Sequence, residues 1–280
     1  MFMEKCIVLF SGGLDSRLVV KIMQERGFEV IALYFNLPFG CGCCNFGCNF
    51  NFTQMSGVKF KIMDCTKEKL LKDYLKILKK GKHGRGAGFN PCIDCKIFMF
   101  KEAKKFADEK KIKVIASGEV LGQRPMSQMP RAMKIIDKEI GFELTRPLIE
   151  LGISGRNRKK QIELAKKYKI KYPTPAGGCL LCEKELKNRF KVLLNENLIN
   201  EKTLKLVNIG RHFFIKDVWF VVARNKEEGK IIEEFKNNFV EGVVGKPSVY
   251  FLKKKGEKFA RELQEDFGKG GKKKFIGGKL

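Results

Sequence analysis

The chain has 280 residues, enough to bury a sizeable core and to hold two domains. Its 57 Lys and Arg outnumber 31 Asp and Glu, giving a net charge of +26, and 44% of the residues are hydrophobic. No apolar run approaches the ~20 residues of a membrane span. Met1 to Lys5 leads straight into a strand instead of a signal peptide, so a membrane-spanning chain is excluded and a cytoplasmic one expected.

The chain opens with an apolar strand, Cys6 to Phe10, and an amphipathic helix from Arg17 to Arg26. Between them lies Ser11-Gly12-Gly13-Leu14-Asp15-Ser16. Two adjacent glycines turn the backbone tightly and expose successive N–H groups. Ser16 is expected where the helix begins, and the helix N-terminus adds partial positive charge. Such a turn can cradle a phosphate; bare composition favours an ordinary strand–helix turn, and the full Ser11 to Ser16 string in the first strand–helix unit reverses that preference. It is not the Walker pattern, which has a longer spacer and a Lys before Ser or Thr.

Glu29 to Phe35 and Val58 to Asp64 read as further strands, and Thr66 to Leu78 as a helix capped by Thr66. Residues 79–90 are rich in Gly, Lys and Arg and read as a mobile basic loop. Ile93 to Lys110 is a helix, Val114 to Ser117 a strand, Gly118 to Arg131 a strand-end loop and Arg156 to Tyr168 a helix. This alternation predicts an α/β fold, a parallel sheet with helices on both faces and ligands at the strands' carboxyl ends.

After about residue 185 the pattern changes. Phe213 to Ala223, broken by Lys216-Asp217, predicts a hairpin; Glu227 to Phe239 a helix; Ser248 to Leu252 a strand; and Glu257 to Phe267 a last helix. The expected organisation is a nucleotide-type domain over 1–185, a small basic α+β domain over 186–267 and a flexible Lys/Gly-rich tail over 268–280.

Ten cysteines in a chain expected in the cytoplasm point to metal or sulfur chemistry more than to a disulfide framework. Cys6 and Cys65 fall in apolar strand contexts and read as packing residues. Cys92-Ile93-Asp94-Cys95 and Cys179-Leu180-Leu181-Cys182 are two CxxC pairs. By spacing they fit a zinc site, an iron–sulfur cluster or a redox couple that relays sulfur as a persulfide. Cys41, Cys43, Cys44 and Cys48 crowd a Gly-, Asn- and Phe-rich loop whose role the sequence leaves open. His83 and His212 have no carboxylate or cysteine motif beside them and read as surface or packing residues.

Four segments occur in a specific order: Ser11 to Ser16; Gly118-Glu119-Val120-Leu121-Gly122-Gln123 with Ser127-Gln128; Arg146-Pro147-Leu148-Ile149; and Pro175-Ala176-Gly177-Gly178-Cys179-Leu180-Leu181. Together they resemble the PP-loop catalytic domain of 4-thiouridine synthetases and, more distantly, tRNA 2-thiouridylases, over about residues 4–185. Asn208 to Phe213 and Val221 to Asn225 are similar to the RNA-binding module of NFACT proteins.

The resemblance implies an enzyme that adenylates a uridine carbonyl of tRNA with ATP, releases pyrophosphate, and replaces the oxygen with sulfur as AMP leaves. It implies ATP binding by Ser11, Gly12, Gly13, Asp15 and Ser16, with Gly118 and Gln123 beside the nucleotide or the base, and Asp15 positioning either Mg²⁺ or the pyrophosphate. Lys and Arg of the 79–89 loop would offset developing charge. In one version Cys179 carries or resolves a persulfide with Cys92 or Cys95. In the other Cys92, Cys95 and Cys179 bind a [4Fe–4S] cluster, with Cys182 a spare thiol or a fourth ligand and Zn²⁺ the alternative metal. The sulfur donor would be free sulfide or a persulfide carrier.

The similarity starts at the first strand, so the amino-terminal RNA-capturing region usual in 4-thiouridine synthetases and a rhodanese-like domain are not expected. RNA capture would fall to the C-terminal domain, where residues 186–280 carry 22 Lys and Arg against 12 Asp and Glu. Arg211, Arg224, Lys253, Lys254 and Lys255 are its candidate RNA contacts, with Phe213, Phe214, Trp219 and Phe220 either stacking on bases or forming core. The charge balance by itself also fits DNA, an anionic membrane or a heat- or salt-adapted lysine-rich surface. Two other readings compete: sulfuration or amidation of a small molecule by the same loop, and a non-catalytic RNA-binding zinc protein. The resemblance names no membrane partner.

Overall fold

The strand alternation of Lys5–Leu9 (β1) sends Cys6 and Val8 to one face and Ile7 to the other, and all three are fully buried. That is the signature of a central strand in a parallel sheet covered on both sides. In the computed structural model, which describes residues 3–40, 46–173, 179–272 and 279–280, β1 pairs in parallel with Glu29–Asn36 (β2) and Val114–Ser117 (β4). Lys59–Asp64 (β3) joins outside β2, giving the order β3-β2-β1-β4. Thr145 extends the sheet beyond β4, donating to Ile115 O at 2.9 Å and accepting from Ser117 N at 3.0 Å.

The helices of this unit are Leu14–Glu25 (α1), Phe46–Met55 (α2), Glu68–Lys80 (α3), Cys92–Glu109 (α4), Pro130–Ile140 (α5), Pro147–Glu150 (α6) and Lys159–Lys167 (α7). Leu18, Val19 and Ile22 of α1, Phe52 of α2 and Ala165 of α7 pack with Cys6 and Val8 on one face. Ile97, Phe100 and Ala103 of α4 and Ile136 of α5 pack with Ile7 and Ile115 on the other. The chain steps from β1 outward to β3, then crosses back to place β4 on the opposite side of β1. The carboxyl ends of β1 and β4 are therefore a switch point, where connections diverge and leave a crevice for a ligand.

Several boundaries differ from expectation. α1 begins at Leu14 with Gly13 as N-cap, so Ser16 lies inside its first turn. Thr66 does not cap α3, whose N-cap is Lys67; its hydroxyl donates to Asp64 Oδ1 at 2.6 Å instead. α7 starts at Lys159 instead of Arg156. The 79–90 segment is pinned, because Arg85 donates to Leu78 O, to Lys79 O at 2.9 Å and to Phe89 O at 3.0 Å. Its guanidinium also sits 3.9 Å over the Phe89 ring. Arg85 is thereby committed to holding the loop and is not free to meet developing charge.

The chain divides into two units, Met1–Glu183 and Lys184–Leu280. The second has an antiparallel sheet of Arg211–Ile215 (β5), Val218–Val222 (β6), Phe239–Val240 (β7) and Val249–Phe251 (β8), in the order β5-β6-β8-β7. Lys216 and Asp217 both take positive φ, +47° and +60°, and close the β5–β6 hairpin as a two-residue turn. Lys187–Asn195 (α8), Lys226–Glu233 (α9) and Glu257–Phe267 (α10) complete the unit. Ala260 and Leu263 of α10 cover Phe213, Phe220 and Phe251 of the sheet.

The helix expected over Glu227 to Phe239 ends at Glu233, because Asn237 is left-handed (φ +70°) and Phe239 pairs in the sheet. The tail, expected to be flexible, is tied down in its described residues. Leu280 N donates to His212 O at 3.0 Å, and Lys269 N to Gly245 O at 2.6 Å.

Candidate active site

The loop after β1 is held by its own side chains. Ser16 Oγ donates to Gly13 O at 3.0 Å, and Ser11 Oγ to Ser16 Oγ at 3.3 Å. Arg17, buried, donates through Nε to Gly12 O at 2.7 Å and through Nη1 to Lys171 O at 2.7 Å. Two glycines permit close approach here. A Cβ on Gly12, whose φ is +81°, would lie 1.7 Å from Asn49 Oδ1, and one on Gly118 would lie 3.0 Å from Asp15 C and Ser16 N. The loops after β1 and β4 therefore meet at the switch point, with Gly118 against the turn.

Asp15 Oδ2 accepts from Gln123 Nε2 at 2.7 Å, and Gln123 Oε1 accepts from Gln161 Nε2 at 3.0 Å. Asp15 Oδ1 is buried and has no hydrogen-bond partner among the described residues. Asn49 of α2 is fully buried with both amide atoms likewise unpartnered. Buried polar atoms are almost always paired, so these orphans mark where a ligand would supply the missing contacts. Sequence reasoning missed Arg17, Asn49 and Gln161. The signal for Gln161 was its place four residues before Ala165, on the buried face of α7.

Glu119 follows Gly118 and is 3% exposed, joined to Lys96 and to Arg146 Nε at 2.8 Å. Burial alone would push its carboxyl up; the charges and hydrogen bonds of Lys96 and Arg146 outweigh this and hold it below the usual carboxylate range. Its contribution to stability is thus fully present above the ordinary carboxyl pKa and is lost as pH falls through the lowered folded value. Glu119→Gln is expected to destabilise the fold by about 3 kcal/mol, because Lys96 and Arg146 lose a buried counter-charge. Urea denaturation at pH 7 measures this, and the gap from the parent should close on acidification.

The two CxxC pairs come together. α4 runs into β4 of a parallel sheet, so its first turn, with Cys92 and Cys95, stands at the sheet's carboxyl edge. Cys179 Sγ donates to Phe39 O at 2.9 Å, and Leu180 N to the same oxygen at 3.1 Å, just beyond the carboxyl end of β2. Phe89 N donates to Leu181 O at 2.7 Å, which seats Cys182 beside the 86–90 segment. The Cys182 thiol is close enough to Cys92 to be raised by it. Asn90 Nδ2 lies 3.1 Å from Cys92 Sγ, and Tyr74 Oη 3.6 Å from Cys95 Sγ.

Burial pushes the Cys95 and Cys179 thiols up to about 12, and their mutual proximity adds to the rise at Cys179. Cys182 is exposed, and desolvation and the neighbouring Cys92 raise its thiol. Cys6 and Cys65 are fully buried packing residues with thiols also pushed up to about 12. Cys41, Cys43 and Cys44 lie outside the described residues, as do Pro175 to Gly178 and the side chain of Cys48. Among the described residues, no three His, Cys, Asp or Glu side chains are arranged to hold a metal ion. An all-thiol donor set matches zinc or an iron–sulfur cluster in kind. Asp15 Oδ1, buried and unpartnered among the described residues, suits Mg²⁺.

The histidines are more engaged than their sequence context indicated. His83 Nδ1 pairs with Asp94 Oδ1 at 2.9 Å, inside the first CxxC, and its Nε2 lies 3.4 Å from Glu139. His212 accepts from Trp219 Nε1 at 3.0 Å, and burial together with Arg189 holds it well below its usual pKa, hence neutral. In the second unit Phe213, Trp219 and Phe220 are core and cannot stack on bases. Arg224 is paired with Glu228 at 2.9 Å, and Arg211 sits 5.4 Å over the Phe267 ring. Lys253, Lys254 and Lys255 are exposed.

A glycine turn opens a helix at the switch point of a parallel sheet, which defines an α/β domain with its crevice at the strands' carboxyl ends, here with thiols on the same sheet edge. The chain belongs to the family described as thiamine biosynthesis protein (ThiI), which matches residues 2–181. A probable tRNA sulfurtransferase of Saccharolobus islandicus is 29% identical over 214 residues, covering 72% of this chain and 50% of that protein. The tRNA-specific 2-thiouridylase MnmA of a Nitratiruptor species is 30% identical over 118 residues, 41% of this chain and 34% of the relative. The chain thus spans about half the length of the sulfurtransferase it matches.

Among solved structures, a 4-thiouridine synthetase–RNA complex with bound ATP aligns with a TM-score of 0.45 at 19% identity, over 72% of this chain and 53% of that one. A predicted subunit of a tRNA methyltransferase from Methanocaldococcus jannaschii aligns at 0.43 and 18%, over 68% and 89%. Among the described residues no helix is long and apolar enough to cross a membrane.

Proposed function

We propose that this chain is an ATP-dependent tRNA sulfurtransferase that converts a uridine to a thiouridine. The observation that carries the reading is the convergence of Cys92, Cys95, Cys179 and Cys182 on the sheet edge that also bears the glycine turn. A phosphate site alone would serve many reactions; thiols beside it supply sulfur chemistry.

In this reading the backbone N–H groups of Gly12 and Gly13, with Ser11 and Ser16, hold the ATP phosphates. Asp15 holds Mg²⁺ through its unpartnered Oδ1. The uridine carbonyl oxygen attacks the α-phosphorus and pyrophosphate leaves. Sulfur then adds to the activated carbon, the C–O bond breaks, and AMP departs with the oxygen. Sulfur arrives as sulfide, or from a persulfide carrier; in the second case a second thiol breaks the S–S bond of the adduct and forms a disulfide with the carrier cysteine. Cys92, Cys95 and Cys179 would hold a [4Fe–4S] cluster, which with three protein ligands would supply an iron for hydrosulfide; Cys182 as a fourth ligand would close that iron. The carboxylate–cation network around Glu119 fixes the β4 loop so that Gly118 stays against Asp15 and Ser16.

Anaerobically purified protein is expected to contain iron and acid-labile sulfide in equal amounts. Zinc without iron would replace the cluster by a zinc site, and neither metal would leave the thiols as persulfide carriers. Exposed Lys253, Lys254 and Lys255 are proposed to meet tRNA phosphates. Replacing all three by Ala should flatten the dependence of log affinity on log salt by about 2, since each phosphate contact contributes roughly 0.7–0.9. Filter binding of tRNA at several salt concentrations measures it. The reaction itself is tested by incubating the protein with unmodified tRNA, ATP and sulfide. Thiouridine together with AMP supports the reading; AMP formed on a small-molecule acceptor and never on tRNA contradicts it.

A further inference from the structure

Gln161 belongs to no motif, yet it ends a chain of side chains that begins at Asp15. It lies on α7, fully buried, and its Nε2 donates to Gln123 Oε1 at 3.0 Å. Gln123 Nε2 in turn donates to Asp15 Oδ2 at 2.7 Å. A glutamine amide has nearly the same shape in either flip, so its partners decide which end faces which neighbour. Asp15, an acceptor, can use only the nitrogen end of Gln123. Gln161 supports that orientation by donating to the oxygen end of Gln123. Its own Oε1 is buried without a partner, so among the described residues its amide is engaged by Gln123 alone. An unpaired buried carbonyl is costly, and an apolar side chain of similar volume would pack against the same surroundings without that cost.

We propose that Gln161 is a positioning residue for the metal–nucleotide site. By locking the Gln123 amide it fixes Asp15 Oδ2 in a hydrogen bond and leaves Oδ1 as the carboxylate oxygen open to the divalent cation that accompanies ATP. The inference rests on the nucleotide reading of the glycine turn given above. It places a residue of α7, far along the chain from that turn, in control of one oxygen within it.

The test uses the full chain and two variants, with titration calorimetry of ATP in the presence and absence of Mn²⁺ and a thermal melt as control. Gln161→Met keeps the volume and removes the donor. It is expected to keep the melting temperature and metal-free ATP affinity of the parent while Mn²⁺–ATP affinity falls about tenfold, the scale on which partners of metal ligands act. Gln161→Glu keeps the shape but can only accept, so it should lose at least as much Mn²⁺–ATP affinity. Parent-like Mn²⁺–ATP affinity in either variant overturns the proposal. A Gln161→Met protein that melts earlier yet binds Mn²⁺–ATP normally makes the residue a packing element. Equal losses with and without metal shift its effect from the carboxylate to the loop. A parent protein that binds neither form of ATP removes the nucleotide reading itself, a result distinct from all of these.

Discussion

Asp15→Asn is expected to lower AMP formation by about 100- to 1000-fold, the effect of removing one preorganised electrostatic group at a reacting centre. The substitution is nearly isosteric, and its side-chain oxygen can still accept from Gln123 Nε2. What it removes is the negative charge and the acceptor at Oδ1, which has no partner among the described residues. The melting temperature should therefore stay close to that of the parent. AMP release in the presence of tRNA and sulfide, followed by chromatography, is the measurement. Turnover at the parental rate would take Asp15 out of the chemistry and leave the glycine turn as an ordinary strand–helix connection.

Cys95→Ser and Cys179→Ser should each remove thiouridine formation, with pyrophosphate release retained within about tenfold. The separation follows from where the thiols sit. Cys95 stands in the first turn of α4, and Cys179 is anchored to Phe39 beyond β2, so neither belongs to the loop that would hold ATP. Both are partly buried, and desolvation pushes their thiols up to about 12. As free thiols they are almost wholly protonated near neutral pH, and so poor nucleophiles until a bound metal or a persulfide changes that. Cys182→Ser, at the exposed end of the group, should reduce thiolation less than either. Assays of pyrophosphate and of thiouridine on the same samples distinguish the two halves. Loss of both halves in Cys95→Ser at an unchanged melting temperature would merge the thiols with the nucleotide site.

The sequence made the framework visible where local pattern and tertiary role agree. Cys6 to Phe10 reads as apolar because β1 is buried on both faces, and Ser11 to Ser16 stands out because a tight turn into a helix needs its glycines. The two CxxC pairs were visible as pairs; that they meet depends on Cys179 reaching Phe39, which no spacing encodes. Other features were hidden for physical reasons. Arg85 looked like part of a mobile cationic loop because its partners are backbone carbonyls, invisible in composition. Asn49 sat in a stretch read as loop, although the chain is helical there. Trp219 and Phe220 among basic residues fitted either a stacking surface or a core, and the strand places both in the core. Thr66 had the right chemistry for a helix cap and spends it on Asp64 instead.

The central claim is that the glycine turn and the thiols together make a thiouridine in tRNA. Nucleoside analysis of bulk tRNA from cells with and without this protein tests it most directly. The account predicts one thiolated uridine present in the first sample and missing from the second, restored by the intact chain and not by Asp15→Asn or Cys179→Ser. Identical thionucleoside profiles in the two samples would contradict it.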